Sequence, residues 1–227
     1  MTTSGYISIQ HPTSVWKPVG ISLDAAGKKF NREWIFRNLS FQFEPGKSYA
    51  ITGPNGTGKS TLLQCIAGAI HLSEGSLSYH SVSKEATTQL AEEDFFKQIA
   101  ISAPYLELIE EMTAEEFLSF HQHFKPFLSG ISISQILQAV SLDKAINKQI
   151  RYFSSGMKQR LKLAQAFYTD VPVILLDEPC ANLDRDGYEM YKNLCTGPGE
   201  NRLTLVGSND AQETVFCSAH IHLPDYQ

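Results

Sequence analysis

Cysteine is scarce and scattered in this chain. Cys65, Cys180, Cys195 and Cys217 are the four, and none belongs to a C-x-x-C pair, so neither a zinc site nor a disulfide framework is suggested. Reduced thiols in a cytoplasmic protein are the expectation. No basic run interrupts a formal net charge of −5, which argues against nucleic acid or acidic lipid as a direct partner. Long apolar runs are missing as well. The most apolar run of the second half, Val173-Ile174-Leu175-Leu176, is far too short to span a bilayer. The N-terminus lacks the basic-then-apolar pattern of a signal peptide. Internal repeats and low-complexity tracts are absent. What remains is ordinary globular composition, 42% hydrophobic and 19% charged over 227 residues, enough for one domain with a sizeable core and room for a subdomain.

One stretch organises the rest. Gly53-Pro54-Asn55-Gly56-Thr57-Gly58-Lys59-Ser60-Thr61 fits G-x-x-x-x-G-K-[ST], the phosphate-cradling loop. It stands where that loop must stand, between a short buried strand over 48–52 and a helical pattern over 60–70. The glycines let the backbone curl so that successive N–H groups face inward on anionic oxygen. The helix start adds donors and a positive dipole end. Lys59 is placed to reach β- and γ-phosphates, and the Ser60 hydroxyl to bind Mg²⁺.

Along the chain, residues 1–17 are polar, hold Pro12, lack a clear period and read as a mobile extension. Residues 19–24 alternate as a first strand, 26–29 as a turn, and 34–43 as further strand. Strands are also expected at 75–79, 99–102, 171–176, 203–207 and 219–223, with loop and short helix over 81–94. Thr113-Ala114-Glu115-Glu116 is a capping box that opens a helical region to about residue 150. Further helices follow over 156–168 and 184–195. Strands alternating with helices predict an α/β fold: a mainly parallel sheet, an N-terminal antiparallel β part and an inserted helical subdomain at about 105–160, all within one domain over 18–227.

Three more elements give the loop its context. Val173-Ile174-Leu175-Leu176-Asp177-Glu178 is an apolar strand ending in two acids, the Walker B pattern. Upstream, Phe153-Ser154-Ser155-Gly156-Met157-Lys158-Gln159-Arg160 resembles the L-S-G-G-Q signature of ATP-binding cassette (ABC) proteins, with Ser155 for a glycine and Met157 for the glutamine. Residues 179–184, with Ala181-Asn182-Leu183-Asp184, resemble their D-loop. In order and spacing the chain is similar to the ABC transporter cassette, a P-loop NTPase, from about Val19 onward.

The resemblance implies ATP and Mg²⁺ as cofactors, with Asp177 and Ser60 on the metal and Glu178 as general base beside the γ-phosphate. It implies that Ser154 and Gly156 form a second anion-binding end, which with Ser155 and the D-loop Asp184 meets ATP held by another cassette, so that a complete site needs a homo- or heterodimer. Phe30 falls where the family places an aromatic against adenine; a packed phenylalanine in the strand core is the other use of that position, and Trp34 is the second aromatic nearby. Two departures stand out. The Q-loop glutamine aligns near Ala103-Pro104-Tyr105, and Pro104 has neither N–H nor a polar side chain. The switch histidine aligns with Asn209, whose amide can donate to phosphate but cannot titrate. Slow but persisting ATP hydrolysis is therefore expected. Two functions follow from the resemblance: the ATPase subunit of an exporter-type transporter, peripheral at the inner face of the membrane through a separate transmembrane permease, or a soluble ATP-gated dimerisation module with weak or no hydrolysis. For the first, Tyr105, Leu106, Leu108 and Ile109 would line the permease-facing groove or, equally, serve as subdomain core.

Overall fold

The computed structural model describes residues 16–83 and 86–227. The expected extension at 1–17 thus falls almost wholly outside the described residues. Trp16 is already engaged, with the guanidinium of buried Arg202 4.7 Å from its ring centroid.

The chain forms two compact units. The first comprises Trp16–Ala103, Val171–Pro179 and Asn201–Gln227 and holds both sheets. One sheet is antiparallel, built from β1 (Val19–Phe30), β2 (Glu33–Phe43), β4 (Glu74–Val82) and β5 (Thr87–Leu90) in the order β2-β1-β4-β5. Its register sets Ile21 against Phe43 on one side and Tyr79 on the other, so that alternate apolar residues share the buried face. The other sheet comprises β3 (Ser48–Thr52), β6 (Ile99–Ser102), β7 (Val173–Asp177), β8 (Leu203–Gly207) and β9 (Ala219–His222). Its order is β6-β7-β8-β3-β9 and every pairing is parallel. Strands β7 and β8 are buried at every residue, which is why they read as continuous rather than alternating apolar runs.

Helix α1 (Lys59–Ile66) follows β3 and sinks Leu62, Leu63, Cys65 and Ile66 into a core shared with Phe36, Phe43, Ile51, Leu175 and Leu205. Each fully buried Leu, Ile or Phe contributes about 1.5–3 kcal/mol. Because the strands are parallel, the C-terminal ends of β3, β7 and β8 lie at one edge, and the loops leaving them meet there. The short helices α2 (Glu92–Phe95) and α7 (Ala211–Thr214) complete this unit.

The second unit comprises Pro104–Asp170 and Cys180–Glu200, and so reaches beyond the 105–160 read from the sequence. It contains α3 (Ala114–Gln122), α4 (Ile133–Ala139), α5 (Ser155–Tyr168) and α6 (Arg185–Thr196). Helix α5 packs on α3, α4 and α6. The Thr113–Glu116 capping box is complete, with Glu116 N–H donating to Thr113 Oγ1 at 3.2 Å and the Glu116 carboxylate accepting from Thr113 N–H at 2.8 Å. Ser132 and Gln135 form a second box at the start of α4.

Local expectations differ in three places. The turn expected at 26–29 is irregular strand: β1 runs on to Phe30 through register shifts, with Ala25 at φ 44° and its N–H donated to Ser40 Oγ. Helix α1 stops at Ile66 rather than residue 70, because Gly68 takes φ 73° and donates to the Cys65 carbonyl. The stretch 81–94 holds a strand, β5, whose Thr-Thr-Gln-Leu sequence is fixed by pairing with β4, not by apolar alternation.

Candidate functional site

The phosphate loop leaves β3 with Gly53, Gly56 and Gly58 at φ 143°, 85° and 101°, values that side chains disfavour and that curl the loop. Lys59 is buried and folds back over it, donating from Nζ to the carbonyls of Gly53 at 2.7 Å and Pro54 at 3.3 Å. Thr57 closes the turn, its hydroxyl donating to the Pro54 carbonyl at 2.9 Å. Pro54, Asn55 and Gly56 are exposed, so the tip of the loop is open to a ligand. Ser60 and Thr61 open the first turn of α1.

Asp177 ends β7 and is 2% exposed. The Ser60 hydroxyl lies close enough to act on its carboxylate, whose Oδ1 is buried with no hydrogen-bond partner. Burial raises its pKa, and the neighbouring Glu178 charge adds to this, while the Ser60 hydroxyl and the Lys59 charge oppose it. A buried carboxylate oxygen without a donor beside a hydroxyl fits a hard divalent cation, whose remaining ligands would be phosphate oxygens and water. Among the described residues no group of three His, Cys, Asp or Glu side chains could hold a metal by protein ligands alone.

Glu178 follows at φ 44° with an exposed side chain, its N–H donated to the Gly207 carbonyl at 2.9 Å. The left-handed backbone of this non-glycine residue costs on the order of 1–3 kcal/mol and is held by β8. Gly207 itself is a site residue that sequence reasoning missed. A Cβ there would lie 3.0 Å from Leu63 Cδ1 and 3.3 Å from Asp177 Oδ1, so any larger residue would have to push Leu63 or the acid aside.

Asn209 stands two residues beyond β8 and reaches the phosphate loop. Its Oδ1 accepts from Gly53 N–H at 3.1 Å and its Nδ2 donates to Asn55 Oδ1 at 3.1 Å. Phe30, at the end of β1, is 48% exposed, so it is not a core phenylalanine. The Lys28 ammonium, anchored on the His71 carbonyl at 2.8 Å, stands 4.9 Å from its ring centroid. Trp34 is half-buried, with Lys29 and Arg37 at 5.1 and 4.5 Å from its ring.

The signature residues lie in the helical unit. Ser154 caps α5, its Oγ accepting from Met157 N–H at 3.2 Å, and Ser155 is exposed beside it. Gly156 is in contact with the D-loop backbone: a Cβ would lie 2.9 Å from the Asn182 carbonyl oxygen. Asp184 caps α6, its Oδ1 accepting from Gly187 N–H at 2.8 Å and from Arg160 Nη2 at 2.9 Å. These partners hold its carboxyl below the usual range, the Gly187 bond first. Arg160 ends the signature stretch, and its pairing with Asp184 is the contact the sequence does not reveal. At the Q-loop position the Pro104 carbonyl accepts from Lys162 Nζ at 3.2 Å. Tyr105, Leu106 and Ile109 are exposed to 43, 36 and 39%. Among the described residues, no helix is long and apolar enough to cross a membrane.

A parallel sheet carrying a phosphate loop, a buried acid and a second acid on one edge is the P-loop NTPase fold. The ABC transporter family model matches residues 36–181, and the chain belongs to that family, whose members bind ATP, usually with Mg²⁺, and are generally ATPases working beside transmembrane partners. The chain is 27% identical to the ABC transporter ATP-binding protein YybJ of Bacillus subtilis over 86% of its own length and 88% of the relative's. It is 32% identical to the cytochrome c biogenesis ATP-binding export protein CcmA of Xylella fastidiosa, covering 77% of this chain and 78% of that one. With the Nod factor export ATP-binding protein I of Rhizobium johnstonii it shares 30% identity over 76% of this chain, but spans only 55% of that relative. Among solved structures, an ABC transporter ATP-binding protein from Pyrococcus furiosus superposes with a TM-score of 0.74 at 17% identity, covering 92% of this chain and 99% of that one. A bacterial Atm1-family exporter matches with a TM-score of 0.74 at 18% identity over 94% of this chain and 39% of its own. The structural likenesses bear on fold alone.

Proposed function

We propose that this chain binds ATP with Mg²⁺ and hydrolyses it as the motor subunit of an exporter-type transporter, paired with a second cassette beneath a separate transmembrane subunit. In this reading residues 18–227 are one ATP-binding domain and the helical unit is its subdomain. The observation that carries the reading is Asp177, a buried carboxylate with an unpartnered oxygen beside the Ser60 hydroxyl at the mouth of the phosphate loop.

The loop N–H groups and the start of α1 would receive the β-phosphate, and Lys59 would exchange the Gly53 and Pro54 carbonyls for phosphate oxygens. Ser60 and Asp177 would hold Mg²⁺, which when bound neutralises charge on the phosphate oxygens. Glu178, exposed at the strand end, would accept the proton of the attacking water. Phe30 would carry the adenine. Ser154, Ser155, Gly156 and Asp184 would complete the site of the second cassette, the Ser154 hydroxyl remaining able to donate while its oxygen caps α5. Tyr105, Leu106 and Ile109, exposed in the segment after Pro104, would face the transmembrane partner at the inner side of the membrane. The export direction is favoured by relatives that carry the word in their names.

Hydrolysis is expected to be slow, since Pro104 offers no side-chain ligand and Asn209 no charge. The engagement of Asn209 with the loop itself favours a second reading, in which ATP closes a dimer and conformation rather than turnover is the output. Thermal unfolding in ATP with and without Mg²⁺ tests the shared premise. A rise of the midpoint that needs both is expected; no rise in either condition would remove the nucleotide site. Co-purification of a transmembrane subunit separates the two readings.

A further inference from the structure

Asn209 is held from both sides along the chain. Ser208 N–H donates to the Ile51 carbonyl at 3.1 Å, which stitches the residue after β8 to the end of β3 before the phosphate loop. Asp210 N–H donates to Ser208 Oγ at 2.9 Å, and Asp210 Oδ1 accepts from Gln212 N–H at 2.8 Å as the cap of α7. Between these anchors the Asn209 side chain spends its oxygen on Gly53 N–H and an N–H on Asn55 Oδ1, each at 3.1 Å. Gly53 and Asn55 are the first and third residues of the loop, and Pro54 between them cannot donate. Among the described residues, the other side chains bonded to the loop, those of Thr57 and Lys59 within it and Gln227 beyond it, all donate to its carbonyls. Asn209 alone of these fixes an N–H and a side chain of the loop's first turn.

From this geometry we infer that Asn209 is a positioning residue for the phosphate loop: it sets the loop's first turn through Gly53 and Asn55, and so acts on nucleotides whether or not they carry a γ-phosphate. The inference rests on the nucleotide reading above. Its chemistry is that of preorganisation. A loop whose first turn is already fixed loses less conformational freedom when it closes on phosphate. A residue acting directly on the γ-phosphate would instead distinguish ATP from ADP.

The experiment is a double-mutant cycle on nucleotide affinity, with Asn209→Ala, Asn55→Ala and the double variant, each titrated with Mg²⁺-ADP and Mg²⁺-ATP. One lost hydrogen bond corresponds to about three- to tenfold in affinity. The expected result is that Asn209→Ala weakens ADP and ATP by the same factor within that range. Asn55→Ala breaks the same contact from the loop side, so the double variant should lose less than the product of the single losses. Circular dichroism checks that each variant is folded. Unchanged ADP affinity in Asn209→Ala with weakened ATP would overturn the clamp and leave a γ-phosphate contact in its place. Single losses that multiply would overturn it as well. Failure of the unaltered chain to bind either nucleotide would overturn the nucleotide reading and the clamp together.

Discussion

Asp177 holds its charge in the site at a cost, and that cost has a direction. Burial raises its pKa, so the protonated form is favoured in the fold. The stability this gives is present below the unfolded carboxyl value and is lost as pH rises through the folded one. At neutral pH the ligand-free protein therefore bears an unfavourable charge, which a cation would offset. Asp177→Asn should raise the midpoint of thermal unfolding without ligand at pH 7 and abolish the rise produced by Mg²⁺-ATP. That rise reflects about 2.7 kcal/mol of added stability for nucleotide at 100 times its Kd. A ligand-free midpoint that falls sharply would mean the carboxylate serves packing. Phe30 offers a second prediction at this scale. Base stacking on an aromatic is worth about 1–3 kcal/mol by alanine substitution, so Phe30→Ala should weaken ATP on the order of tenfold or more while leaving inorganic tripolyphosphate unaffected. Trp34, with a cation near its ring at 4.5 Å from one residue and 5.1 Å from another, should tolerate alanine with less loss of ATP. Equal losses for both variants would remove Phe30 as the adenine contact.

At the scale of elements, α3 and α5 share a polar contact that sets a pH limit. His121 Nε2 lies 2.9 Å from Thr169 Oγ1, and Thr169 Oγ1 donates to the Gln165 carbonyl at 2.5 Å. With the hydroxyl hydrogen so committed, Nε2 must be the donor, and Nδ1 accepts from Gln165 Nε2 at 3.0 Å. The imidazole is thus satisfied as a neutral ring, and burial, with the Lys125 charge adding to it, lowers its pKa to about 4. Stability from this arrangement is complete above the ordinary histidine value near 6.5 and is lost as pH falls from there toward about 4, because the unfolded chain takes the proton first. His121→Gln should lower stability at pH 7 by about 1 kcal/mol and flatten the loss between pH 6.5 and 4 in melts followed by circular dichroism. A variant as pH-sensitive as the unaltered chain would assign that loss elsewhere.

Elements differ in how much of them the sequence carries. The Thr113–Glu116 box was legible because a cap is local chemistry, four residues long. The buried strands β7 and β8 were legible because burial on both faces leaves a continuous apolar run. Strand β5 was not, since Thr87-Thr88-Gln89-Leu90 becomes strand only by lying beside β4. The early stop of α1 turns on one glycine backbone angle, and the passage of β1 through Ala25 on a hydrogen bond from fifteen residues away. At the site, the loop glycines, Lys59, Asp177 and Glu178 announce themselves by spacing. The clasp of Asn209 on Asn55, 154 residues apart, and the narrow passage at Gly207 exist only once parallel strands bring their ends together.

For the molecule as a whole, the proposed function depends on turnover of ATP at the edge formed by β3, β7 and β8. The two departures from the family pattern, Pro104 and Asn209, set the expected rate low while leaving Glu178, the proposed base, and Ser60 and Asp177, the proposed metal ligands, in place. Phosphate release from Mg²⁺-ATP by the purified chain, beside Lys59→Ala and Glu178→Gln, is the direct measurement. The account predicts slow release by the unaltered chain and loss of ATP binding in Lys59→Ala. It predicts that Glu178→Gln still binds ATP but releases phosphate at least about 100-fold more slowly, the lower range for a general base. Release that Glu178→Gln leaves unchanged would contradict it, and would place the chemistry on some group other than the acid that follows Asp177.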